Sequence, residues 1–65
     1  MIKIFQLHDL SKAKSMIEFR FYDEEQGLQD LIEIVNQKIK NQQRYHYVIL
    51  DTRKDMIVKN YERGF

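Results

Sequence analysis

Cysteine, proline and tryptophan are absent from this 65-residue chain, and glycine occurs only as Gly27 and Gly64. Without cysteine, neither a disulfide nor a thiolate zinc site can supplement a small core, so efficient packing or a partner surface must supply the remainder. Two isolated glycines cannot build a phosphate-cradling loop. No apolar run approaches the roughly 20 residues that a membrane span requires. The stretch Met1 to Leu10 is broken by Lys3, Gln6, His8 and Asp9 and does not read as a targeting segment. These absences lead us to expect a cytoplasmic protein with no membrane partner. Charge of one sign is also lacking: a net charge of +1 does not by itself indicate nucleic acid or membrane.

What is present suits folding. Hydrophobic residues make up 43% of the chain and aromatics 12%, enough for globular packing and too much for disorder. The length predicts one small domain spanning residues 1–65, and the pattern of strands and a helix makes it α+β. Charge is unevenly spread: residues 1–33 carry four basic and seven acidic side chains, and residues 34–65 carry seven basic and three acidic. A helix crossing that boundary, with acids in its first turn and bases in its last, accounts for the split through its macrodipole.

Periodicity predicts the elements. Ile2 to His8 places Ile2 and Ile4 on one alternating face and Phe5 and Leu7 on the other, the pattern of a central strand. Asp9 to Ser15 reads as a polar connection. Met16 to Tyr22 alternates Ile17, Phe19 and Phe21 with Glu18 and Arg20, a strand covered on one side. Asp23 and Gln26 resemble a capping box, Glu24 and Glu25 suit a first helical turn, and Gly27 weakens that turn slightly. Leu28, Leu31, Ile32, Val35 and Ile39 then recur at helical spacing, predicting a helix near residues 24–41. Tyr45 to Leu50 and Met56 to Tyr61 form a hairpin if residues 52–55 are a four-residue turn. Asp51 then faces Met56, Leu50 faces Ile57, Ile49 faces Val58 and Tyr47 faces Asn60. One hairpin face carries Tyr45, Tyr47, Ile49, Met56 and Val58, taken as core, and the other His46, Val48, Leu50, Ile57 and Tyr61. Residues 63–65 are expected to fray.

This strand, strand, helix, strand, strand order resembles the β-grasp topology of the immunoglobulin-binding domains of streptococcal protein G and, more loosely, of ubiquitin-like proteins. The likeness spans Ile2 to Leu7, Met16 to Tyr22, the helix and the hairpin around Asp51-Thr52-Arg53-Lys54-Asp55. It implies a four-stranded mixed sheet with one helix on one face and the first and last strands parallel at its centre. It is a likeness of arrangement and carries no binding motif.

Candidates for chemistry are few. Ser11 and Ser15 lack a nucleophile context, and His8 and His46 have no second ligand at a recognised spacing. Asp51 and Asp55 suit turn chemistry. Neither an enzyme nor a cofactor or metal is expected. Arg44, Tyr45, Tyr47, Arg53 and Lys54 mix cations with aromatic faces and supply the alternative, a nucleic-acid-binding surface. The favoured expectation rests on the apolar surplus. One helix covers one sheet face, which leaves Ile2, Ile4, Val48, Leu50, Ile57 and Tyr61 on the other, together with Met16 and Tyr22, a patch of the kind that marks a protein partner or a homodimer. An edge strand, Met16 to Tyr22 or Tyr45 to Leu50, offers a second route through addition of a partner's strand. The function expected is stoichiometric binding by a small regulator or inhibitor of the phage or mobile-element type.

Overall fold

The computed structural model describes residues 2–12, 15–21 and 23–64, without the side chains of Ser15 and Met16. Strand β1 (Lys3–Asp9) leads through a single 3-10 turn (Leu10–Lys12) toward β2 (Ser15–Phe21). Helix α1 (Glu24–Ile39) follows, and β3 (Tyr45–Asp51) and β4 (Met56–Arg63) close the chain as a hairpin. The expected Tyr22 end of the second strand lies outside the described residues. The sheet has the order β2-β1-β3-β4, and every neighbouring pair is antiparallel.

An α+β architecture with one helix and four strands is therefore present, but the parallel pairing implied by the β-grasp resemblance is not. β3, not β4, lies beside β1. The composition of the two strands gives the reason. β3 supplies Tyr47, Val48 and Ile49, all buried, whereas β4 carries Lys59, Asn60, Glu62 and Arg63 and is exposed along nearly its whole length. The strand with apolar groups on both sides takes the inner position, and the charged one takes the edge, where its side chains remain hydrated.

The helix begins where the cap residues place it: the Asp23 carboxylate accepts a hydrogen bond from the Gln26 amide at 3.0 Å. The reciprocal half of the capping box is replaced, because the Gln26 side chain reaches forward to Asp30 at 2.8 Å. At the other end Gln42 Nε2 donates to the Lys38 carbonyl at 2.8 Å and to the Tyr47 hydroxyl at 2.9 Å, tying the last turn to β3. The core consists of Phe5, Leu7, Leu31, Val35, Tyr47 and Ile49, with Leu28, Ile32 and Ile39 packed against it as the helical spacing predicts. Gly27 is buried, and a Cβ there would fall 2.6 Å from Phe21 Cβ, so its missing side chain lets the end of β2 close on the first turn. At the C-terminal end Arg63 belongs to β4, and Arg44 Nε donates to the Gly64 carbonyl at 3.0 Å, so Arg63 and Gly64 are held rather than frayed, while Phe65 lies outside the described residues.

The hairpin corrects the expected register. Residues 52–55 do form the turn, with Asp55 at φ 50, and Asp51 pairs with Met56 and Leu50 with Ile57. Beyond that point Ile49 pairs with Lys59, and Tyr47 with Tyr61. Val58 is therefore an extra residue, a β-bulge that shifts the remainder of β4 by one. The shift carries Tyr61 to the helix-covered side, where it packs against the core, so it does not belong with Ile57 as expected.

Candidate protein-docking face

Alternation fixes what the helix-free face presents. β1 contributes Ile4, Gln6 and His8, β2 Glu18 and Arg20, β3 His46, Val48 and Leu50, and β4 Ile57, Asn60 and Glu62. Five of the six expected interface residues, Ile2, Ile4, Val48, Leu50 and Ile57, share this side or its margin; Tyr61 is the exception. The side chain of Met16 lies outside the described residues.

The face is divided, and only part of it is apolar. Val48 sits between its cross-strand partners His8 and Asn60 and is only 6% exposed. Leu50, between Gln6 and Ile57, is half-buried, as is Ile4. Ile57 at 57% and Ile2 at 49% are the open positions. Apolar atoms thus gather at the end of the sheet next to the 52–55 turn. The opposite end carries polar pairs: His8 Nε2 lies 3.4 Å from Gln6 Oε1, and His46 Nε2 lies 3.8 Å from Glu62 Oε2. Met56 and Val58, also exposed, extend the apolar end around the β4 edge, where with Phe5 and Leu28 they line a hollow of about 270 Å³.

That hollow is also lined by charge. Lys3 Nζ lies 2.8 Å from Glu24 at the helix start and 3.6 Å from Asp51, whose carboxylate is buried and accepts from the Arg53 amide at 3.0 Å. The Glu24 hydrogen bond, assisted by the negative charge of Glu24 and Asp51, raises the Lys3 pKa above its ordinary value. Partial burial likewise raises the Tyr61 phenol. The turn itself is fastened to β1, since Thr52 Oγ1 donates to the Ile4 carbonyl at 2.7 Å and Arg53 reaches the Ile2 carbonyl at 3.5 Å. The turn beside the apolar end is therefore held by hydrogen bonds to β1 and to the residue that precedes it.

The alternative constellation does not converge. Arg44 precedes β3 and engages Gly64, whereas Arg53 and Lys54 lie beyond its far end, roughly 25–30 Å away along an extended strand. Tyr45 and Tyr47 stack with centroids 6.4 Å apart, but on the helix-covered side, and Tyr47 is buried. Base-stacking rings and phosphate-binding cations are not presented together. Among the described residues no group of three His, Asp or Glu side chains is placed to hold a metal ion, and no helix is long and apolar enough to cross a membrane.

Sequence reasoning missed a groove on the other side of the molecule. It has a volume of about 970 Å³ and runs between β2 and α1, with Phe19, Phe21 and Ile34 on its floor and Asp30, Glu33 and Lys38 among its rim residues. The rings of Phe19 and Phe21 lie 5.8 Å apart in a near-parallel stack. The available signal was Ile34, an apolar residue just outside the main helical stripe. Comparison with family models, with curated proteins and with solved structures found no match to this chain.

Proposed function

We propose that this chain is a non-catalytic protein-binding domain that acts by stoichiometric association, docking its partner on the apolar end of the helix-free face. The observation that supports this reading is the half-exposed Ile57 beside Leu50 and Ile4, with Ile2 at the margin, in a surface otherwise edged by Gln6, Arg20 and Glu18. An apolar centre within a polar rim is the usual anatomy of a protein interface. A regulator or inhibitor works through such a surface without chemistry of its own.

Replacing Ile57 with Asp tests the reading. The residue is exposed on an edge strand, so the change should cost about 1 kcal/mol or less, chiefly through the lower strand preference of Asp. The tagged wild-type protein, used as bait in extracts of its own cells, is expected to retain a stoichiometric partner that I57D loses. An unchanged set of retained proteins in I57D would place the contact elsewhere.

A further inference from the structure

We propose that β2 is a self-pairing edge through which two copies of this chain join antiparallel, centred on Phe19, with Glu18 of each copy facing Arg20 of the other. The inference goes beyond the docking face and uses none of its apolar residues, so either can fail alone.

β2 is the outermost strand on its side of the sheet. It pairs with β1 residue for residue from Ser15 to Phe21 with no bulge, which leaves a straight row of backbone donors and acceptors on its outer edge. A two-fold axis through that edge allows only registers centred on a residue, because directly opposed side chains share a face. Centring on Glu18 opposes two carboxylates, and centring on Arg20 opposes two guanidinium groups. Centring on Ile17 opposes Glu18 with Met16 and sets Arg20 and Phe21 across from positions 14 and 13, beyond the end of β2. Centring on Phe19 opposes Phe19 with its own copy, Ile17 with Phe21 on both sides of it, and Glu18 with Arg20 twice on the other face. Within one chain Glu18 and Arg20 are both exposed and only 4.0 Å neighbours, free to be reoriented.

The groove beside β2 fits the same symmetry. Its floor residues Phe19 and Phe21 belong to the pairing strand, so a second copy extends that floor and roofs its open side. Asp30 and Glu33 lie toward one end of the rim and Lys38 toward the other. The two-fold axis reverses the helix direction, setting the acidic end of one rim toward the basic end of the other. The opposite edge, β4, has no such register, since the bulge at Val58 breaks its alternation.

The test uses the full chain and three samples, E18R, R20E and their equimolar mixture, compared with wild type by sedimentation over a range of concentrations. Wild type is expected to form a dimer. Each single variant opposes like charges twice and dimerises roughly tenfold to a hundredfold more weakly, while circular dichroism shows the fold retained. The mixture recovers a dimer containing one of each, because every cross-copy pair is again opposite in sign while each chain still carries like neighbours. Recovery therefore reports the contact between copies, which a role within one chain does not produce. A wild-type protein that stays monomeric throughout, or an E18R dimer as tight as wild type, would overturn the proposal.

Discussion

Replacing Gly27 with Ala sets two physical expectations against each other. Helix propensity alone favours the change by about 1 kcal/mol, and restricting the unfolded chain acts in the same direction. The structure opposes it: the new methyl group would lie 2.5 Å from Phe21 Cδ2 and 2.6 Å from Phe21 Cβ, near the root of that side chain, where a rotamer change gives little relief. Forcing a methyl group into a closed contact costs about 1–3 kcal/mol, so after subtracting the propensity gain the net effect is a loss of up to about 2 kcal/mol. At roughly 4–8 °C per kcal/mol for a domain of this size, the midpoint of thermal unfolding should fall by up to about 15 °C. Far-ultraviolet circular dichroism during heating, with urea unfolding as a second measure, provides the assay. In a double-mutant cycle with F21A, which removes Cγ and the ring that the new methyl group would meet, the cost of G27A should shrink, giving a coupling of about 1 kcal/mol between the two sites. A rise in midpoint on G27A alone would refute the contact between β2 and the first helical turn.

Stability should also fall above about pH 10. The Tyr61 pKa is raised from 10.0 and that of Lys3 from 10.5, so with rising pH the unfolded chain releases these protons first. Both contributions are fully present below the unfolded values and are lost as pH passes through the raised ones. In urea titrations across that window Y61F should decline less steeply than wild type, and an equal slope would count against the burial of the phenol. Asp51→Ala removes a buried acceptor of the Arg53 amide and should cost about 1.5–3 kcal/mol in urea unfolding at neutral pH. A loss below about 0.5 kcal/mol would mean that this carboxylate does not hold the turn.

The elements that were legible in the sequence are those whose signal is local. The Asp23 cap, the Leu28 to Ile39 stripe and the alternation of Ile17, Phe19 and Phe21 each depend on neighbours a few residues away, and each matches the structure. The two-sided apolar pattern of the first strand also placed β1 correctly at the interior of the sheet. Strand order was not legible, because it depends on which of β3 and β4 competes better for the position beside β1. The alternation within each strand does not state that comparison. By local pattern Gly27 is only a propensity defect, since its role emerges when Phe21, six positions earlier, is brought against it.

The bulge is the feature with the widest consequences. One unpaired residue, Val58, decides that Tyr61 joins the core and that the helix-free face loses an aromatic ring, leaving that face polar along most of its length. It also makes the two sheet edges unequal. β4 combines the bulge with Lys59, Glu62 and Arg63, features that discourage another strand from pairing. β2 has an unbroken register and a charge order, Glu18 then Arg20, that is complementary to its own reverse. An expectation based on the quantity of apolar side chains pointed to the face as the place of association. The pattern of the edges supports the proposal of a second site at β2, a strand lacking such protective features, with a partner specified by symmetry instead of by hydrophobic area.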